Sequence, residues 1–394
     1  MNSTLAIIPA RGGSKGIPRK NLSLLAGKPL IGYIIEQALQ SKSVDRLIVS
    51  TDDREIAQVA QQYSAEVVWR PAEISGDTAS SELALLHTLE YLQQKESYNP
   101  DLLVFLQCTS PLTLAEDIDG SVHVLMEQHA DTALSVTPFH YFLWQAKAHG
   151  DAIGINHDKC VRLLRQQRET QYLETGAVYV MRTPGFLQAK HRFFGKTALY
   201  IIPPERVIEI DEPVDFEIAE VLMRKHQQKN VLKLLPENPI ALVLDFDGVF
   251  TDNSVLIHED GQEAAYCSRS DGWGLSELQA HAFPILVIST EKNPVVVARC
   301  KKLNIECIHG IENKLEALMN WSHERSINLK QIIYLGNDVN DSACLEAVGC
   351  AVVVADAHVY VKKIARIILN AKGGNGAIRE LCDLILKKIK KPKL

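Results

Sequence analysis

The run Leu244-Asp245-Phe246-Asp247-Gly248-Val249-Phe250-Thr251 closes an apolar stretch, Ile240-Ala241-Leu242-Val243-Leu244, with two carboxylates one residue apart. A continuous apolar run bounded by polar sequence is the pattern of a strand buried in a parallel sheet. Alternate residues of an extended chain share a face, so Asp245 and Asp247 point the same way and could face one magnesium ion and one phosphoryl group. One carboxylate can then attack phosphorus while the other moves a proton. Their partners follow in order: Ser289-Thr290 after a second apolar strand, Lys314, then Gly336-Asn337-Asp338-Val339-Asn340-Asp341 after a third. Crowded carboxylates are tolerable around a hard dication with oxygen ligands, and phosphoryl transfer needs mainly positioned positive charge. Any one of these aspartates also fits a helix N-cap or a turn; the ordered set does not reduce to that.

The set resembles the haloacid-dehalogenase phosphatase superfamily, most of all its small, capless 3-deoxy-octulosonate 8-phosphate phosphatases. That resemblance implies Asp245 as a nucleophile forming an aspartyl-phosphate and Asp247 as general acid/base. Thr290 or Ser289 would hold phosphoryl oxygens, and Lys314 would neutralise charge. Asp245, Asp247 and Asp338 would form the Mg²⁺ site, and Asp341 would orient the metal shell or the lysine.

A second motif opens the chain. Leu5 to Ala10 reads as another apolar strand, followed by Arg11-Gly12-Gly13-Ser14-Lys15-Gly16-Ile17-Pro18-Arg19-Lys20-Asn21. Four basic residues and three glycines in this loop suit a polyphosphate, because glycines let backbone N–H groups approach an anion and Arg and Lys supply charge. No Gly-Lys-Ser/Thr closes the loop, so it is not a Walker loop. The Gly-x-Gly-x-x-Gly spacing of dinucleotide sites is also missing.

This loop resembles the signature of sugar-activating cytidylyltransferases, most closely the acylneuraminate family. The likeness continues through Val49–Asp53, Arg70–Glu73, Asp77–Ser81, Leu106–Leu112, Gly176–Tyr179 and Ile210–Asp215. It implies a CTP site built from Arg11, Gly12, Ser14, Lys20, Asn21, Ser81 and Gln107, with Arg11 and Lys20 aiding catalysis. Asp211, helped by Glu209, would ligand Mg²⁺. The reaction would be in-line attack by a sugar's anomeric hydroxyl on the α-phosphate, with metal-assisted deprotonation and release of pyrophosphate. Three positions depart from the family: Cys108 stands for a usual proline, Glu209 for an aspartate, and Leu173-Glu174-Thr175-Gly176 for a Pro-Asn-Gly pattern. The last faces the sugar in relatives, so Gln107 and Glu174 are expected to bind the sugar and to alter which one fits.

At 394 residues the chain holds two cores. Alternating strands (Leu47–Thr51, Leu102–Gln107, Thr132–Val136, Ala177–Met181) and amphipathic helices such as Ala79–Gln93 predict α/β architecture: two doubly wound, mostly parallel-sheet domains. By resemblance the first is a nucleotidyltransferase-type Rossmann-like domain and the second a capless haloacid-dehalogenase-type one. The expected boundaries are 1–226, a polar, proline-punctuated linker at 227–239, and 240–394. A net charge of −6 argues against nucleic-acid binding. No apolar run reaches transmembrane length, and the basic tail Lys387–Lys393 reads as a solvated terminus. Eight cysteines form no paired framework, and Met1–Ala10 leads straight into the phosphate loop without a secretory signal. A cytoplasmic protein is therefore expected.

Glu259-Asp260-Gly261-Gln262 is an Asp-Gly hairpin signal, placed where the phosphatase relatives carry a short flap through which they form tetramers. A homotetramer through the C-terminal domain is the corresponding expectation. Their Gly-rich tail resembles Lys372–Glu380, and Arg269 and Arg379 would contact the phosphosugar. The two halves fit one sequence of reactions. Nonulosonic acids made by phosphoenolpyruvate condensation can emerge as 9-phosphates, and the free acid is what a cytidylyltransferase activates. The expected partners are thus CTP, a nonulosonic acid and its phosphate, with Mg²⁺ as cofactor and neither nucleic acid nor membrane. The alternative is a synthetase whose second domain is a silent tetramerisation module.

Overall fold

The structure, a computed structural model, describes residues 3–14, 16–260 and 262–390. Lys15 of the first loop, Gly261 of the hairpin signal and the end of the basic tail lie outside the described residues. The chain divides into two compact units, Met1–His226 and Gln227–Leu394.

The first unit is built on strands β1 (Thr4–Pro9), β2 (Arg46–Thr51), β3 (Glu66–Trp69), β4 (Leu102–Leu106), β5 (Thr132–Phe139), β6 (Gln171–Arg182) and β7 (Thr197–Ile201). They form one seven-stranded sheet in the order β7-β5-β6-β4-β1-β2-β3. The pairings of β1 with β2 and β4 are parallel, while β6 runs antiparallel to both of its neighbours. The two-residue period of β1 explains its central place. Ala6 and Ile8 feed one core cluster, and Leu5 and Ile7 feed another, so both faces are covered. Helix Leu30–Gln40 buries Leu30, Ile31, Ile34, Ile35 and Ala38 along one stripe. Helix Arg54–Gln62 starts where Asp53 accepts from Glu55 N and Ile56 N.

The second unit carries β8 (Ala241–Leu244), β9 (Ile285–Ile288), β10 (Glu306–Ile308), β11 (Ile332–Gly336), β12 (Cys350–Val353) and β13 (Ile367–Ile368). Their order is β10-β9-β8-β11-β12-β13, and every pairing is parallel. All four residues of β8 are buried. Its carboxyl end lies beside those of β9 and β11, where ligands of open α/β sheets bind.

The polar segment marked as a linker is helical at its start: Pro213–Leu234 is one helix. Lys, Gln, Leu and Arg are good helix formers, and no proline interrupts them before Pro236. Val231, Leu232 and Leu235 pack on the second unit's core. Leu256–Ile257 and Glu263–Ala264 pair antiparallel as a short hairpin. No helix among the described residues is long and apolar enough to cross a membrane.

Candidate active sites

In the first unit the loop after β1 folds back on the carboxyl ends of the strands. Lys20 Nζ donates to Ile210 O at 2.7 Å and to Asp211 Oδ1 at 3.1 Å. Asn21, buried, donates to Arg11 O at 3.2 Å. Arg11 bonds Gly76 O at 2.8 Å and lies 3.3 Å from Asp77. Gly12 N donates to Asp52 Oδ1 at 3.0 Å, and a Cβ there would meet the Asp53 carboxylate at 2.8 Å. The glycine is therefore needed for this approach. Ser14 is half-buried in the same loop, and Ser81 opens the helix Ser81–Glu96.

Gln107, with its amide nitrogen turned inward, donates to Gly176 O at 3.0 Å and Glu209 Oε1 at 3.2 Å. Gly176 has φ +68, and a Cβ on it would sit 3.0 Å from Glu209. The structure thus brings Lys20, Gln107, Glu209 and Asp211 together. Although Glu209 reaches solvent, the protein around it and then the Asp211 charge raise its carboxyl from the usual value. Two carboxylates that repel each other beside a single lysine suit a hard dication. Glu209 and Asp211 would hold it, and it would polarise the phosphate.

Arg70 belongs to the Arg70–Glu73 stretch of the likeness but carries no expected role; its buried guanidinium donates to Ser50 O at 2.6 Å. No salt bridge to it is present among the described residues. Burial, outweighing the nearby Asp52, lowers its pKa. The Arg-Pro turn was visible in sequence, but its burial was not.

In the second unit Asp245, Asp247, Thr290 and Asp338 line one cavity of about 300 Å³ with Asn253, Asn337 and Asn340. Lys314 Nζ contacts Asp245 Oδ1 at 2.7 Å and Asp341 Oδ1 at 2.8 Å. Asp341 also accepts from Tyr334 OH at 2.8 Å and Asn337 N at 2.9 Å, so it orients the lysine and the turn after β11. Burial and then Asp341 push the Asp245 carboxyl up, against the pull of Lys314. Burial and then Glu291 raise Asp247. Of the two hydroxyls after β9, Thr290 lines the cavity, while Ser289 is buried and accepts from Glu291 N at 3.0 Å.

The donor set fits Mg²⁺. It is all oxygen, and Asn337 Oδ1 is buried at its edge without a hydrogen-bond partner. Among the described residues no three acidic, His or Cys groups converge into a ready-made cage. Mg²⁺ in phosphoryl-transfer sites ordinarily takes one or two carboxylates and keeps waters and substrate oxygens. A second cavity of about 330 Å³ adjoins, sharing Asp247 and Asn253 and lined further by Glu263, Glu291 and Asn293.

Arg269 and Arg379 are not among the residues lining either cavity. Arg269 opens the helix Arg269–Gln279, and the Arg379 guanidinium is held by Asp383 at 2.9 Å and Glu277 at 3.6 Å. The Gly-rich tail instead abuts the loop after the nucleophile. Gly374 N donates to Val249 O at 3.0 Å, and a Cβ on Gly373 would lie 2.0 Å from Gly248 O.

A phosphate loop beside Lys20 and Asp211 on a mostly parallel sheet defines a nucleotidyltransferase class of α/β unit, and the second unit has the layout of a phosphohydrolase. Comparison with known proteins agrees. The family described as cytidylyltransferase matches residues 5–247, and haloacid dehalogenase-like hydrolase matches residues 285–381. The chain belongs to the cytidylyltransferase family and carries a haloacid dehalogenase-like domain in its second unit. It is 31% identical to N-acylneuraminate cytidylyltransferase of Oncorhynchus mykiss, over 98% of this chain and 89% of the relative. It is 32% identical to pseudaminic acid cytidylyltransferase of Campylobacter jejuni, over 57% of this chain and 97% of that protein. A solved 3-deoxy-D-manno-octulosonate 8-phosphate phosphatase from Moraxella catarrhalis is 27% identical with TM-score 0.39, covering 41% of this chain and 92% of its own.

Proposed function

We propose that the chain is bifunctional: its first unit transfers CMP from CTP to a nonulosonic, sialic-type acid, and its second removes phosphate from that acid's 9-phosphate. The observation that supports two activities is the shared cavity of Asp245, Asp247, Thr290 and Asp338 with Lys314 bonded to Asp245. In the first unit Arg11, Gly12, Ser14, Lys20, Asn21 and Ser81 hold the nucleotide. Gln107 and Glu174 face the sugar, whose anomeric oxygen attacks the α-phosphate as pyrophosphate leaves. Asp211 and Glu209 would hold Mg²⁺, which would supply charge neutralisation there.

In the second unit Asp245 attacks phosphorus, forming an aspartyl-phosphate and releasing the sugar alcohol. Asp247 faces the adjoining cavity, where the leaving group has room, and its raised pKa suits a group that delivers a proton to the departing oxygen. Lys314 and Thr290 offset and orient the phosphoryl charge, and Asp245 and Asp338 would hold Mg²⁺ while Asp247 keeps its proton for the leaving group.

Val255, Leu256 and Ile257 of the hairpin are 52%, 46% and 65% exposed, which supports assembly into a homotetramer through this unit. All eight cysteines are free, which fits a reducing cytoplasm.

The test is a mass-spectrometric product assay with CTP, Mg²⁺ and a panel of nonulosonic acids, each offered free and as its 9-phosphate. CMP-sugar from both forms of one acid, with inorganic phosphate from the second, is the expected result. CMP-sugar unaccompanied by any Asp245-dependent phosphate release would leave the second unit as a tetramerisation module.

A further inference from the structure

Strand β6 breaks step in mid-course: its pairing with β5 shifts between Glu174 and Tyr179. In an unbroken strand, residues five apart point to opposite faces. The irregularity, turned at Gly176 with φ +68, instead brings the two side chains together, and the Tyr179 hydroxyl donates to Glu174 Oε1. Bulges of this kind commonly re-aim a side chain beside an active site.

The Tyr179 ring is fixed by its neighbours. It stacks on Phe105 with centroids 5.2 Å apart and meets Phe193 edge-on at 6.0 Å. The Arg192 guanidinium lies 4.8 Å from its centroid. Arg192 Nε donates to Glu82 Oε1 at 2.6 Å, and Glu82 is buried one residue after Ser81. Burial and the Glu174 carboxylate both raise the Tyr179 pKa, so the phenol stays a donor.

Glu174 differs from these supports in reaching solvent. Two residues on, Gly176 packs against Glu209, whose Oε1 would lie 3.0 Å from a Cβ there, so Glu174 sits beside the transfer centre. An exposed glutamate ordinarily keeps its rotamer freedom. Here one oxygen is anchored by a locked phenol, while Oε2 has no hydrogen-bond partner among the described residues.

We propose that Glu174 reads the acceptor acid through a hydrogen-bond donor on it, and that Tyr179 and Arg192 are positioning residues that aim this carboxylate. The inference rests on the first unit's activity as given above. An ionised carboxylate only accepts, so the group it meets is a hydroxyl or an amide N–H. Like charge turns the acid's own carboxylate away from it.

The experiment is steady-state kinetics of the full-length protein with CTP and the acid that gives most CMP-sugar, alongside thermal melts. For Glu174→Gln we expect KM for the acid to rise about ten- to hundredfold, the loss of a hydrogen bond to a charged group, with KM for CTP unchanged. Tyr179→Phe and Arg192→Met should raise the acid KM roughly three- to tenfold, and Arg192→Lys should restore it. Tyr179→Phe melting like the wild type with an unchanged acid KM would overturn the proposal, as would KM values for acid and CTP rising together. If Tyr179→Phe fails to fold, the solvent-reaching Glu174→Gln decides alone. Wild-type protein making no CMP-sugar from any acid would overturn the underlying activity, and this inference with it.

Discussion

Lys20 Nζ lies 3.1 Å from Asp211 Oδ1 although 191 residues separate them in the chain. The loop after β1 and the turn before the helix Pro213–Leu234 thus meet at one charged point. A Cβ on Gly16 would strike Asp211 O at 2.6 Å, so the approach depends on glycine. Asp211 N and Glu212 N both donate to Asp215 Oδ2, at 2.9 and 2.7 Å, which fixes the turn.

Removing that cation should disable cytidylyl transfer. Lys20→Met is expected to lower pyrophosphate release roughly 10²- to 10³-fold, the scale for one preorganised group at a developing charge. Lys20→Arg should recover part of it. A coupled pyrophosphate assay measures both, and a Met variant within threefold of wild type would refute the role.

Lys314 is 3% exposed between Asp245 and Asp341. Lys314→Met would leave two buried carboxylates without their counter-charge, at a cost of about 3–5 kcal/mol. Urea unfolding followed by Trp321 fluorescence should show the second unit's transition moving to lower denaturant, with phosphate release lost. An unmoved transition would mean that the carboxylates shed their charge by protonation instead.

The Gly-rich tail gives a variant that separates the two activities. Gly373→Ala puts a methyl carbon 2.0 Å from Gly248 O, and that backbone cannot yield without moving the loop that carries Asp247. Phosphate release should fall roughly tenfold or more, as misplacement of reacting groups does. CMP-sugar formation should hold. Parallel assays on one preparation decide it.

Glu82 supplies a pH test. Burial, the largest single influence, raises its carboxyl, but the Arg192 hydrogen bond and charge, a backbone hydrogen bond and Ser80 together outweigh it and leave it below its ordinary 4.5. A folded-state pKa below the unfolded one means stabilisation that is complete above the unfolded value and is lost as pH falls through the folded one. The urea midpoint of wild type should therefore exceed that of Glu82→Gln at pH 6. The gap should narrow below about pH 4.5, toward the lowered value. A gap that stays constant down to pH 3 would show that Arg192 does not depend on the charge.

Much of both centres was legible in the chain. Strand runs such as Leu5–Ile8 and Ala241–Leu244 announce themselves because a strand buried on both faces must be apolar throughout. The residues that follow them must then lie at the carboxyl edge of the sheet. That placed Asp245, Asp247, Thr290 and Asp338 in one neighbourhood, as the cavity shows. The segment 227–239 reads as linker because it is polar, yet polar helix formers without proline continue a helix to Leu234. Arg269 and Arg379 illustrate a different limit: a motif position states a residue type, not where its side chain goes, and Asp383 and Glu277 hold Arg379.

The sequence by itself determined two α/β units and the order of their phosphate-handling groups, because apolar periodicity and motif spacing are local properties of the chain. Only the tertiary structure decided that, of the metal shell and the lysine, Asp341 holds Lys314, that Ser289 is buried while Thr290 faces the cavity, and that a bulge turns Tyr179 onto Glu174. Each depends on strand register and on which distant backbone packs beside it, and a one-residue shift in register reverses the face a side chain occupies.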